Sequence, residues 1–278
     1  MLNNQNTQSM VSASIVLHHT PKYEILRLLN CILESPIDVI FLVDNSSDDS
    51  LRELANISNK IVYIYSLNLG YGAGHNIAIR KSLELNAKYH IILNPDIYFE
   101  KDAIEILRKY MDQDQNVGAI MPKIEYPTGE VQYLCKLLPT PIDLIGRRFL
   151  PPRLIKRRNH KYELRRFGYS KIMNTPCLSG CFAFIRANIF SDIGFFDESF
   201  FMYCEDFDLY RRIHRKYKTI FLPDTTVIHD HKKESYKNKK MLLLHIKSAI
   251  HYFNKWGWFF DKERREVNQK VLKEVEDK

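Results

Sequence analysis

Three short segments carry side chains able to hold a cation, hold a phosphate or move a proton. Asn94-Pro95-Asp96 directly follows the apolar run His90-Ile91-Ile92-Leu93. A carboxylate at a strand end offers hard oxygen to Mg²⁺ or Mn²⁺. Such a cation would hold a diphosphate and neutralise its charge as it leaves. The same tripeptide also reads as a plain Asx turn capping the next helix. Glu205-Asp206-Phe207-Asp208 places three acids in four positions. The dipole of a starting helix favours acids there without any catalytic use, whereas a general base needs one carboxylate facing a cleft. Asp206 and Asp208, two positions apart, cannot share a helix face, so at most one of them points inward, with Glu205 or alone. His229-Asp230-His231 offers imidazole and carboxylate to a metal, although such pairs are more often hydrogen-bonded structure. Gly70-Tyr71-Gly72-Ala73-Gly74 is neither a dinucleotide fingerprint nor a Walker loop, and a tight strand-to-helix turn accounts for it equally well.

The elements that must position these residues are legible from periodicity. Ser14–Leu17, Val39–Val43, Ile61–Tyr65 and His90–Leu93 are apolar runs of strand length, bounded by turn residues. Between them lie helical patterns: Ile25, Leu26, Leu28, Leu29 and Ile32 after Pro21, Leu51 and Leu54 after a Ser47 or Asp48 cap, and about His75 to Leu85. This alternation predicts a parallel sheet with right-handed crossovers. Ligands then bind beyond the carboxyl ends of the strands, where Asp44, Asn45, Asn68, Asn94 and Asp96 stand. Further on, the pattern predicts a helix over 103–110, strands over 117–122, 179–185 and 220–223, a helix over 206–217, and a helical tail from Lys239 ending in Trp256-Gly257-Trp258-Phe259-Phe260.

The chain has 278 residues and a net charge of +8, enough for one large α/β domain with additions or for two small ones. Residues 147–171 hold ten Lys or Arg and one acid, Glu163, so this stretch carries +9 and the remainder about −1. Such a stretch reads either as a solvated surface loop or as a site for an anionic partner (phosphate, nucleic acid or acidic lipid), and like charges at that density favour the second. Pro139, Pro141, Pro151 and Pro152 make the stretch an irregular insertion with short helical arms. Five scattered cysteines without a CxxC pair argue against a zinc ribbon or disulfide framework and fit a reducing cytosol. The N-terminal residues lack the order of a signal peptide, and no apolar run is long enough to span a bilayer.

The order of the motifs is more specific than any one of them. Ser14-Ile15-Val16-Leu17, Val43-Asp44-Asn45-Ser46-Ser47-Asp48-Asp49, Asn68-Leu69-Gly70-Tyr71-Gly72-Ala73-Gly74-His75-Asn76, Leu93-Asn94-Pro95-Asp96, Leu178-Ser179-Gly180-Cys181-Phe182, Gly194-Phe195-Phe196-Asp197-Glu198 and Phe200 through Leu209 follow one another. This series resembles family 2 glycosyltransferases of the GT-A fold, and most of all their bacterial rhamnosyltransferase-like branch, which builds O-antigen and capsule polysaccharides. The resemblance covers residues 12 to about 235. It implies an α/β fold, a Rossmann-like nucleotide-binding half with a mixed, mainly parallel sheet, plus a C-terminal helical tail. The expected organisation is a nucleotide-sugar half (12–122), a basic insertion facing acceptor or membrane (123–176), an acceptor and catalytic half (177–235) and the tail (236–278).

By the same resemblance, Asp44 and Asn45 would meet the nucleoside of the donor, and Asn68 and Asn76 would line its pocket, with Gly72 letting the backbone approach. Asp96 matches the metal-binding acid for Mg²⁺ or Mn²⁺, and Asn94 stands where many members have a first Asp. Asp197 and Glu198 fall near the acceptor. Asp206 matches the base that deprotonates the acceptor hydroxyl, with Glu205 beside it, and His229 matches a late histidine that completes the metal site. Inversion by direct displacement needs no covalent nucleophile. His18-His19-Thr20 departs from the Tyr-Asn that many members carry after the first strand.

The expected function is therefore inverting transfer of a sugar, rhamnose among the candidates, from a dTDP- or UDP-linked donor. The acceptor is a lipid-linked saccharide, met at the cytoplasmic face of the inner membrane. A nucleotidyltransferase would need a glycine-rich loop with a basic residue near the first strand, and residues 14–24 offer none. A nucleic-acid binder would need a recognisable motif around the basic stretch, and an inactive relic would not be expected to keep both Asp96 and Asp206.

Overall fold

The computed structural model describes residues 9–230 and 239–276. The first four strands are β1 (Val11–Leu17), β2 (Val39–Asp44), β3 (Ile61–Tyr65) and β4 (Tyr89–Leu93). Every residue of β4 is buried, as a strand covered on both faces requires. They pair in parallel in the order β3-β2-β1-β4. Helix α1 (Lys22–Leu33) buries Ile25, Leu28, Leu29 and Ile32, the stripe its spacing predicts. Helix α2 (Tyr71–Glu84) packs on β1 and β2. Leu51 and Leu54 are buried as expected, but their segment forms a 3₁₀ helix over Arg52–Ile57 rather than an α-helix.

Beyond β4 the sheet becomes mixed. After β5 (Ile97–Phe99) and helix α3 (Ala103–Gln113) come β6 (Val117–Glu125), β7 (Met173–Asn174), β8 (Phe182–Arg186) and β9 (Lys218–His229). The sheet continues β4-β8-β6-β9-β5, with β8 antiparallel to both β4 and β6, β9 parallel to β6, and β7 pairing with β9. β9 runs twelve residues, far past the four apolar ones that announce it, because its continuation pairs with β5 and β6 instead of standing alone.

The basic stretch folds as short arms: α4 (Pro141–Leu144), a 3₁₀ turn over Gly146–Arg148 and α5 (Pro152–Tyr162). A capping box between Thr140 and Asp143 starts α4. Arg158 returns from α5 to Asp143 at 2.7 Å. After the short α6 (Phe190–Ile193) and α7 (Glu205–His214), the tail forms α8 (Lys239–Trp256) and a second helix, α9 (Lys262–Glu276). The tail docks firmly on the domain. Asn268 of α9 donates to and accepts from the Leu138 backbone. Ala249, Tyr252 and Phe253 of α8 share a core with Leu138, Leu144, Phe200 and Phe207. Among the described residues no helix is long and apolar enough to cross a membrane.

Candidate active site

The polar strand ends do gather along one edge of the sheet. At β2, Asp44 is fully buried and accepts from the Ser46 amide (2.9 Å) and the Tyr63 hydroxyl (2.7 Å). Asn45 beside it keeps a buried Oδ1 with no hydrogen-bond partner, an acceptor aimed where a ligand donor could satisfy it. The His18 ring contacts the Asn45 carbonyl (3.1 Å) and the exposed Asn68 amide (3.4 Å). His18 thus joins the ends of β1, β2 and β3 at the expected nucleoside position. The sequence marked it only as a departure.

Two of the expected pocket residues have other work. Asn76 is wholly buried. Its amide donates to the Phe196 carbonyl (3.0 Å) and Glu198 (2.8 Å), and its oxygen accepts from the Phe196 amide (3.0 Å). With every polar atom occupied, it fixes the 196–198 segment to α2. Gly72 likewise serves packing, since a Cβ there would stand 2.9 Å from Phe196 Cβ. At Gly70, φ is +111° and a Cβ would meet the Phe201 carbonyl oxygen at 2.3 Å. These glycines let α2 close against the 196–201 segment. A buried ladder anchors the same helix: Ser14 bridges His75 (2.7 Å) and His90 (2.8 Å), and Ser12 meets the other His90 nitrogen (2.9 Å). Burial pushes both imidazoles down, His90 to about 3, so they stay neutral.

The turn at 179–181 joins the end of β4 to the starts of α2 and α7. The Asn94 amide donates to the Cys181 carbonyl at 2.9 Å, which ties the end of β4 to the start of β8. The Tyr71 hydroxyl lies 3.0 Å from Asn94 Oδ1 and 2.7 Å from the Gly180 carbonyl. One phenolic hydrogen therefore faces two acceptors. The Gly180 amide donates to Asp206 Oδ2 at 3.4 Å, and the Phe207 amide donates to Asp206 Oδ1 at 2.8 Å. Asp206 thus stands at the start of α7, turned toward the junction that also holds Asn94 and Tyr71.

Asp208 faces the other way, as the two-residue spacing requires. It is fully buried and bound by Arg212 (2.9 Å), Trp256 Nε1 (2.9 Å) and Lys255 (2.7 Å). Glu205 is buried, and its Oε2 has no hydrogen-bond partner. Burial, then the neighbouring Asp206 charge, raises the Glu205 carboxyl well above its ordinary value. Burial also raises Asp206, against the pull of the Lys136 ammonium and of the amides bound to it. Asp197 and Glu198 are held by Lys255 (2.6 Å) and Arg80 (3.2 Å).

The candidate metal ligands meet through strand register. Ile97 of β5 pairs with His229 of β9, and Asp96, one residue before, then faces the imidazole with Oδ1 3.3 Å from Nε2. Gln132, which the sequence did not single out, sets the ring. Its Nε2 donates to the His229 carbonyl at 2.7 Å, leaving Oε1 to accept from Nδ1 at 3.0 Å. That bond puts the hydrogen on Nδ1 and the lone pair of a neutral ring on Nε2, beside Asp96. Burial pushes the imidazole down, but Cys181 and the Asp96 carboxylate outweigh it and raise it to about 10, so without a cation Nε2 also holds a proton, and its lone pair becomes available only when a cation displaces that proton. One carboxylate and one imidazole suit a divalent cation such as Mn²⁺. Among the described residues no group of three His, Cys, Asp or Glu is placed to hold a metal ion. His231 lies outside the described residues.

Comparison with known proteins identifies the family and the fold. The description "Glycosyl transferase family 2" matches residues 15–194. The chain is 29% identical over 223 residues to the N-acetylglucosaminyl-diphospho-decaprenol L-rhamnosyltransferase of Mycobacterium tuberculosis, covering 76% of this chain and 71% of that protein. It is 26% identical over 251 residues to rhamnosyltransferase WbbL of Escherichia coli K12, covering 87% and 92%. Its fold resembles that of GalNAc-T7 solved with UDP, GalNAc and Mn²⁺, with a TM-score of 0.62 at 15% identity over 87% of this chain. The chain spans about half the length of that solved protein, 48%. With its GT-A-like mixed sheet and its ordered motifs, the chain belongs to glycosyl transferase family 2 and is a glycosyltransferase.

Proposed function

We propose that the chain transfers a sugar, with inversion, from a dTDP- or UDP-linked donor to a hydroxyl of a lipid-linked saccharide. Rhamnose is the first donor sugar to try, given the named activities of the two relatives. The setting would be O-antigen or capsule assembly at the cytoplasmic face of the inner membrane. The observation that carries this reading is the placement of Asp206. Its carboxylate is aimed by two backbone amides at the junction holding Asn94 and Tyr71.

In the proposed reaction the acceptor oxygen attacks the anomeric carbon as that carbon's bond to the donor diphosphate breaks. The electron pair leaves with the diphosphate, and the hydroxyl proton passes to an Asp206 oxygen. A raised carboxyl pKa makes Asp206 a stronger base than an ordinary aspartate. Asp96 and His229 would hold a divalent cation, which supplies positive charge to the departing diphosphate. Asp44, Asn45 and Asn68, with His18, would receive the nucleoside. Glu205, kept protonated by its surroundings, would shape the pocket floor without adding a second negative charge beside the base.

The exposed residues of the basic arms support a peripheral membrane contact. Arg153, Lys156, Arg157 and Lys161 are exposed, and so are Leu154 (73%) and Phe149 (64%) beside them. The tail's aromatic run divides: Trp256 and Trp258 pack inward, while Phe259 (74%) and Phe260 (97%) stand in solvent. Cationic and apolar side chains together are what a surface bound to anionic lipid needs. The decisive test of the catalytic reading is Asp206→Asn. Donor binding by calorimetry should persist while transfer falls by at least about a hundredfold, the lower range for loss of a general base. Near-normal transfer would overturn the assignment.

A further inference from the structure

Next to Asp206, the Lys136 and Arg147 side chains come together with little among the described residues to neutralise them. Lys136 is fixed by its backbone: its amide donates to the Cys177 carbonyl (2.9 Å), and its carbonyl accepts from Thr175 Oγ1 (3.0 Å). Its ammonium lies 5.3 Å from the ring of Phe207, the residue after Asp206. Among the described residues no carboxylate lies within ion-pair distance of it. Arg147, in the turn after α4, is mostly buried. Among the described residues its one ion pair is a long one of 3.8 Å to Glu163, and its Nε is buried with no hydrogen-bond partner.

Helix α8 supplies a further wall. Ser248 donates to the Met202 carbonyl at 2.6 Å, which pins α8 to the turn that leads into Glu205. His245, one turn earlier, is 5% exposed, stacks 5.5 Å from Tyr203, and has a buried Nδ1 with no partner. Burial and the charges of Arg148, Arg147 and Lys136 push His245 down to about 3. Lys136 also acts on Asp206, so the cluster and the base share one space.

We propose that Lys136, Arg147 and His245 form a seat for the diphosphate of the acceptor, one sugar unit from the hydroxyl that Asp206 deprotonates. Partly buried like charges are costly unless a counter-charge enters. A diphosphate brings several negative charges and acceptor oxygens that match an ammonium, a guanidinium fork and an imidazole N–H. The donor also carries a diphosphate, but the Asp96–His229 pair at β5 and β9 is placed for that one. The cluster is built instead from residues 136–148 and α8, the elements packed around the start of α7. This assignment rests on Asp206 marking the acceptor side.

The test compares wild type with Lys136→Gln/Arg147→Gln by calorimetry. Farnesyl diphosphate and inorganic pyrophosphate are titrated in EDTA, which removes any cation-held phosphate, and UDP and dTDP are titrated with Mn²⁺. The expected result is at least a tenfold loss of affinity for farnesyl diphosphate and pyrophosphate, with nucleotide affinity within twofold of wild type. Lys136→Arg, which keeps the charge, should retain binding and so separate loss of the seat from loss of the fold. Unchanged affinity for farnesyl diphosphate overturns the proposal. A parallel loss of nucleotide affinity overturns it too, because the cluster would then serve the donor. If farnesyl diphosphate binds through the cluster but no sugar reaches any prenyl-diphosphate saccharide, the seat is supported and the transfer reading fails. Transfer that is indifferent to the double variant sinks the seat alone.

Discussion

Gln132→Leu isolates the contribution of the groups behind the candidate metal pair. The substitution keeps the volume and removes two buried bonds to one residue: Nε2 to the His229 carbonyl at 2.7 Å and Oε1 to Nδ1 at 3.0 Å. Two effects follow. Leaving a buried carbonyl and a ring N–H unsatisfied costs about 1–3 kcal/mol of stability for each group. The ring also loses the bond that selects its tautomer and fixes its plane. Loss of such an outer partner weakens metal affinity about 10–100-fold, or about 1.4–2.8 kcal/mol. The assay is calorimetric titration of a nucleoside diphosphate at fixed Mn²⁺, repeated over a Mn²⁺ series, with thermal unfolding alongside. The apparent Mn²⁺ constant should rise 10–100-fold, while nucleotide affinity extrapolated to saturating Mn²⁺ stays close to wild type. Gln132→Glu, which still accepts from Nδ1 but cannot donate to the His229 carbonyl, should recover most of the Mn²⁺ affinity and little of the stability. An unchanged Mn²⁺ constant in Gln132→Leu would refute the claim that this amide orients a metal ligand.

Three further outcomes are expected. Glu205→Gln should stabilise the fold increasingly as pH rises. The folded-state pKa of Glu205 lies above its ordinary 4.5, so the wild-type contribution is full below that value and is lost as pH climbs through the raised one. The amide has no such loss, and a thermal-unfolding difference that is flat from pH 5 to 9 would contradict this. Gly70→Ala should cost at least about 2 kcal/mol in denaturant unfolding, from positive φ and the contact with the Phe201 carbonyl; a neutral result would show that the 196–201 segment gives way easily. Replacing Arg153, Lys156 and Arg157 with Gln should weaken binding to anionic vesicles in low salt, with the difference shrinking at higher ionic strength; equal sedimentation of both proteins would leave those residues as a solvated surface.

The parallel half of the fold was legible because its strands are covered on both faces. Continuous apolar runs then mark them, and Ile61–Tyr65 falls where its sequence says. The antiparallel half was less so. The last strand announces itself through Ile220-Phe221-Leu222, yet its functional end is the polar stretch reaching His229, which is a strand only because β5 and β6 pair with it. At the site, motif order marked Asp96, Asp206 and His229 as candidates, while the residues that set them required three dimensions. Gln132 lies 97 positions from His229. Tyr71 sits between two glycines and reads as part of a turn. Lys136 looks like any isolated lysine. Asn76 and Gly72 show the converse, since their part in packing α2 onto the 196–201 segment has no local signature. Local pattern marks what a residue could offer, and only the packed chain decides whether the offer is already taken.

Arg211 lies on the same helix as Asp206, five residues further on. Its guanidinium, 2% exposed, meets Asp261 in two bonds of 2.8 Å and packs 4.3 Å from the Trp256 ring. This clasp ties α7 to the turn between α8 and α9, fifty residues away. The helix start that presents the candidate base is therefore held from behind by the tail, and the tail belongs to the frame of the candidate site as much as the sheet does.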